Sequence, residues 1–111
     1  MKGIFPSLLK GSLIALIFAS SFAIAKEEVW LDVRTKGEYN SGHVAGATHI
    51  PHGEIGDRIS DLIGDKNTLI HVYCRSGNRA GIALKVMEEM GYINAHNDGG
   101  FSALKHEPVA K

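Results

Sequence analysis

The apolar run Leu69-Ile70-His71-Val72-Tyr73 ends at Cys74, and a helical pattern from Ala80 to Met90 begins almost at once. The run is rich in β-favouring residues and reads as a buried strand. Only Arg75-Ser76-Gly77-Asn78-Arg79 links it to the helix. So abrupt a strand–loop–helix step constrains the fold, because repeated steps of this kind build parallel sheets covered by helices.

The flanking sequence repeats the alternation. Val29-Trp30-Leu31-Asp32-Val33 reads as a first strand. Thr35 and Glu38 have the spacing of a capping box, N-cap and N3, which opens a short helix ending near Gly42. Ala47-Thr48-His49-Ile50 is a second strand, closed by Pro51. From Gly53 to Ile63, the residues Ile55, Ile59, Leu62 and Ile63 form one apolar helical face, with Gly64 as the stop. On the later helix the stripe Ile82, Val86 and Met90 is expected to face the core, and Gly91 ends it. Ile93 to Asn97 follows as a further short strand. Gly99-Gly100 is expected to turn into a last helical stretch, Phe101 to Lys105, with a frayed tail beyond. The predicted fold is α/β, a single domain with a central parallel sheet of four to five short strands flanked by helices. Right-handed crossovers put all strand C-termini on one edge, where such sheets bind ligands, and Cys74 lies there.

Cys74 is the only cysteine. A lone cysteine beside an apolar strand is ordinarily an inert core residue. Packing alone gives no reason for two arginines and a glycine in the next five positions. A thiol at a helix N-terminus meets converging N–H groups that favour its thiolate. Gly77 permits the positive φ of an inward-pointing N–H cradle, and Arg75 and Arg79 add forked cations suited to oxyanions. The residues read as a nucleophilic thiolate inside an anion pocket.

Residues 1–25 read as a secretory signal peptide. Lys2 and Lys10 form a basic start, Gly11 to Ala25 carries no charge, and Ala23-Ile24-Ala25 is an A-x-A cleavage pattern. The alternative, a retained anchor, is disfavoured because the uncharged stretch falls short of the ~20 residues that span a bilayer. Cleavage after Ala25 leaves 26–111 as the domain, exported to a bacterial periplasm and free of the membrane. It removes two of twelve basic residues and none of the twelve acidic ones. No basic run remains, so nucleic-acid binding is disfavoured. A single thiol in an oxidising compartment points to chemistry, since structural cysteines there come in pairs. The six histidines lack metal-ligand spacing with Cys74, so neither a metal nor a cofactor is expected. Modest charge and small size suggest a monomer.

Four motifs in order resemble the rhodanese domain: Leu31-Asp32-Val33-Arg34; Glu38-Tyr39 with Gly42-His43-Val44-Ala45-Gly46-Ala47 and Ile50-Pro51; Val72 to Arg79; and Gly99-Gly100. The resemblance spans nearly all of 26–111 and implies a thiosulfate sulfurtransferase working by double displacement. Cys74 is then the nucleophile that becomes a persulfide. Arg75, Ser76, Gly77, Asn78 and Arg79 bind the donor, and cyanide or a thiol accepts the sulfur. Asn97-Asp98 gives a polar approach to the glycine pair, which is expected to weaken the last strand. Two rivals remain. Phosphatases and arsenate reductases of related fold use Cys-x5-Arg, whereas here Ala80 holds the sixth position and Arg79 the fifth, which leaves a tighter loop. A non-catalytic binding module has little use for both thiol and cradle. Asp32 and Arg34 are expected to pair with backbone or opposite charge. His43 is read as a turn-stabilising residue, His71 as structural, and Trp30 as packing.

Overall fold

The computed structural model describes residues 27–104 and 106–111. The expected signal peptide, 1–25, lies outside the described residues. Four strands pair in parallel in the order β3-β1-β4-β5: β1 (Glu28–Asp32), β3 (Thr48–His49), β4 (Leu69–Cys74) and β5 (Ala95–Gly100). A second, two-stranded sheet joins β2 (His43–Val44) to β6 (Val109–Ala110) in antiparallel register. The helices are α1 (Lys36–Ser41), α2 (Ile55–Leu62) and α3 (Asn78–Glu89).

Side chains alternate across a strand, and β4 shows what this does. Ile70, Val72 and Cys74 join Leu31 and Val33 in a core that Ile55 and Ile59 of α2 and Ala80, Ala83 and Met87 of α3 complete. Tyr73 faces the opposite way, into a smaller cluster with Val44, Ala47 and Leu104. The central strand is therefore buried on both sides, as parallel strands usually are. Each fully buried Leu, Ile or Met contributes about 2–5 kcal/mol against truncation to alanine.

α1 begins as its capping box predicts. Glu38 N–H donates to Thr35 Oγ1 (3.2 Å), and Thr35 N–H donates to Glu38 Oε1 (3.0 Å). Other expectations need correction. On α3, Ile82 is 49% exposed, while Ala80, Ala83 and Met87 face the sheet and Val86 and Met90 sit at the edge of the core. Small alanines let the helix lie close to β4, and that tilts the buried face away from the bulkier stripe. Leu62 is likewise exposed at the end of α2; Gly64 does follow the C-cap Ile63 as expected, but without a positive φ. The last parallel strand starts at Ala95 and runs through Gly99-Gly100, with Ile93 outside it and exposed. Nor does the tail fray. Its Val109 and Ala110 pair with Val44 and His43, and Ala45 N–H donates to Pro108 C=O (2.8 Å). The tail has a partner because Tyr73 Oη, reaching from β4, accepts from Val44 N–H (3.0 Å) and holds β2 in place.

Candidate active site

β4 ends at Cys74, which pairs with Gly100 of β5 across a register shift between Val72 and Cys74. The thiol is 1% exposed. Its Sγ accepts N–H from Gly77 (2.9 Å) and Ala80 (3.4 Å). Burial raises the thiol pKa, but N–H groups of Ala80, Ser76, Gly77 and Arg79 outweigh it, so the net shift is downward. Gly77 makes this geometry possible, since its φ of 100° is left-handed.

Gly100 fixes the loop from outside. A Cβ there would lie 2.2 Å from Arg75 O and 2.8 Å from its carbonyl carbon, closer than any atoms pack. Asn97 adds the polar half of the clamp, donating from Nδ2 to Gly77 O (3.0 Å) and accepting Gly99 N–H at Oδ1 (2.9 Å). Asp98 meets His71 Nδ1 at 2.8 Å, and His71 stacks on Trp30 with centroids 4.3 Å apart. The polar pair Asn97-Asp98 thus ties β5 to the loop and to β4 instead of weakening the strand.

The residues singled out from the sequence occupy different settings. Ser76 supplies main-chain N–H and Gly77 the left-handed turn. Asn78 is exposed at the first residue of α3, and no side-chain hydrogen bond from it occurs among the described residues. Arg79 commits its guanidinium to Glu38, in a bidentate pair at 2.7 and 3.0 Å. That pairing, with Thr35's help and against partial burial, holds the Glu38 carboxyl at about 2, well below its ordinary value. Arg75 is exposed, and its guanidinium has no ion-pair partner among the described residues.

Beside the loop lies an open cleft of about 660 Å³ lined by Arg34, Glu38, Gly42, Arg75, Phe101 and Ser102, among others. Arg34 and Asp32 pair as expected, Nε to Oδ1 at 3.0 Å and Nη2 to Oδ2 at 2.6 Å, both side chains buried. Nη2 also donates to Gly42 O (2.7 Å), and the guanidinium stands 4.5 Å from the Phe101 ring centroid. His43 Nδ1 meets Tyr39 O at 2.7 Å, the turn contact expected of it. Sequence reasoning missed Glu38, Phe101 and Ser102 as site residues. Glu38 was visible as a cap, but its second role depends on Arg79, far along the chain. Phe101 carried no local signal.

A buried thiol held by main-chain N–H groups at the C-terminal edge of a parallel sheet defines a class of α/β proteins with a cysteine in a backbone cradle that favours its thiolate. The rhodanese-like domain model matches residues 21–107, and the chain belongs to that family. It is 39% identical over 97 residues to thiosulfate sulfurtransferase PspE of Escherichia coli, covering 87% of this chain and 93% of that protein. Thiosulfate sulfurtransferase GlpE of Pseudomonas entomophila is 35% identical over 78 residues, covering 69% and 70% of the two chains. A solved structure described as a rhodanese with anions from E. coli superposes with a TM-score of 0.72 at 39% identity, over 76% of this chain and 98% of that one. These relatives support sulfur transfer as the general class of activity.

Proposed function

We propose that the protein is a thiosulfate sulfurtransferase in which Cys74 carries sulfur as a persulfide. The observation that carries this reading is Sγ at the focus of the 76–80 N–H groups, with its pKa below the ordinary thiol value. The thiolate attacks the outer sulfur of thiosulfate, a new S–S bond forms, the old one breaks, and sulfite leaves with the bonding pair. The persulfide that remains is anionic, so the same N–H groups stabilise it without a general base. Arg75, exposed at the mouth, meets the sulfonate and the departing sulfite. Arg79 contributes its main-chain N–H and, through Glu38, the rigidity of the loop. Cyanide or a thiol then takes the outer sulfur and regenerates the thiolate.

Intact mass spectrometry tests this directly. After exposure to thiosulfate the protein should gain one sulfur atom, and cyanide should remove it. An unchanged mass would overturn the persulfide reading, and turnover of an aryl phosphate faster than thiosulfate would put the phosphatase reading in its place. The tight Cys74–Arg79 spacing favours a single sulfur over a phosphoryl group.

We also propose that 1–25 is a signal peptide cleaved after Ala25, which delivers 26–111 to the periplasm as a monomer. The charge-free stretch and Ala23-Ile24-Ala25 support it. N-terminal sequencing of exported protein should begin at Lys26; a product that starts at Met1 and fractionates with membranes would establish an anchor instead.

A further inference from the structure

The cleft is larger than thiosulfate needs. Its volume of about 660 Å³ falls among sites that hold whole organic molecules, roughly 300–1,000 Å³. Thiosulfate is one small tetrahedral anion, and the persulfide it leaves sits within the loop. The second substrate therefore has the cleft to itself once sulfite has gone.

The charge of the cleft is also specific. Glu38 is neutralised by Arg79, and Asp32 by Arg34. Of the charged residues that line the cleft, Arg75 is the one with no ion-pair partner among the described residues. Arg34 is 5% exposed, with Nε and Nη2 engaged by Asp32 and Gly42. Its Nη1 makes no hydrogen bond among the described residues, yet every fully buried side-chain nitrogen or oxygen there has a partner. Nη1 is therefore open, and the surface its residue lines is the cleft. Arg34 is locked by Asp32, by Gly42 O and by the Phe101 face, so its guanidinium is already held in place before a ligand arrives. Fixed donors of this kind bind anions at little ordering cost.

We propose that the cleft formed by Arg34, Arg75, Phe101 and Ser102 is the binding site for the sulfur acceptor, and that this acceptor is a small thiol bearing a carboxylate. The carboxylate lies between Arg34 Nη1 and Arg75, and the carbon stem packs on Phe101. The acceptor thiolate attacks the outer persulfide sulfur, a new S–S bond forms, the bond to Sγ breaks, and Sγ keeps the electron pair as thiolate. The inference rests on the persulfide reading and adds the class of acceptor to it.

Two measurements separate the inference from its basis. In the first, protein loaded with thiosulfate and freed of excess reagent is treated with mercaptopropionate, mercaptoethanol or cysteamine. Loss of the added sulfur is followed by intact mass, each rate scaled to that thiol's reaction with a small free persulfide. The carboxylate thiol should react about tenfold faster than the neutral one, the worth of one charge-assisted hydrogen bond, and cysteamine slowest. Arg75→Gln should remove most of that preference. Equal scaled rates for the three thiols would overturn the proposal. The second measurement needs no persulfide. Methylthiopropionate, but not methylthiopropanol, should shift the amide resonances of Gly42 and Ser102 saturably, and absence of any such shift would overturn the acceptor site. Failure to load sulfur, with the carboxylate still binding there, would instead overturn the persulfide reading and leave the anion site standing.

Discussion

Around Cys74, negative charge meets main-chain N–H groups from one stretch of chain, 76–80, whereas the adjoining cleft takes its cations from Arg34 and Arg75 and fixes one of them through Asp32, Gly42 and Phe101. The first device is made of backbone, so changing a side chain leaves the donors in place unless it moves the loop. The second is made of side chains on separate segments, so single substitutions can retune it. On the proposed mechanism, the cradle suits the step that stays constant, holding sulfur, and the cleft the step in which substrates differ.

The hardest test of the cradle is Cys74→Ser. A serine hydroxyl is not ionised at neutral pH, so sulfur transfer should fall by at least about a thousandfold while thermal unfolding stays near that of the unmodified protein. Residual thiosulfate:cyanide turnover well above that level would mean that the cradle is not the seat of the chemistry.

Asp32→Asn strikes the cleft at its support. It leaves the buried Arg34 cation uncompensated, and breaking a buried pair this way costs about 3–5 kcal/mol. Denaturant unfolding should show that loss. A change below about 1 kcal/mol would mean that Arg34 is held by Gly42 and the aromatic rings and owes little to Asp32.

Gly100→Ala tests whether the loop is set from β5. Its Cβ would fall 2.2 Å from Arg75 O, so the loop must shift. Overpacking of this kind costs about 1–3 kcal/mol, and persulfide formation should slow along with it. Gly37→Ala is the control, since a Cβ at Gly37 meets nothing within 4 Å. Equal behaviour of the two variants would show that the glycine pair does not shape the site.

The smallest effect is expected from the partly exposed Glu38–Arg79 pair. Because the Glu38 carboxyl sits at about 2 in the folded protein against an ordinary 4.5, its contribution is present above about pH 4.5. It is lost as pH falls from there towards 2. With both side chains about a quarter exposed, the pair is worth about 1 kcal/mol. Glu38→Gln should therefore flatten the acid limb of the stability profile by that amount and leave the neutral limb parallel to that of the unmodified protein. Identical acid limbs would show that another carboxylate carries the effect.

Local pattern was enough wherever the physics is local. The β4 run, the Thr35–Glu38 capping box, the left-handed Gly77 and the thiol at a helix N-terminus each depend on neighbours a few residues away, and all are in place. Helix faces were less legible. Ile82 lost its place in the core to Ala80, Ala83 and Met87 because the depth of helix packing depends on the partner sheet, which hydropathy does not report. Asn97 and Asp98 looked like a weak approach to a turn because their acceptor and donor, Gly77 and His71, come from other strands and loops.

By itself the sequence determined the α/β alternation, the edge on which the thiol lies and the N–H cradle, since these follow from residue spacing and backbone geometry. Only the tertiary structure decided which arginine is paired within the protein and which is not. Arg75 and Arg79 are equivalent as sequence, but Glu38 pairs with Arg79 and no carboxylate among the described residues pairs with Arg75. Arg34, read as a partner for opposite charge, is that and also a fixed donor at the cleft. A charge acts according to what neutralises it, and for these residues the neutralising groups are brought close only by the packing of α1 against the loop and of Phe101 against β4.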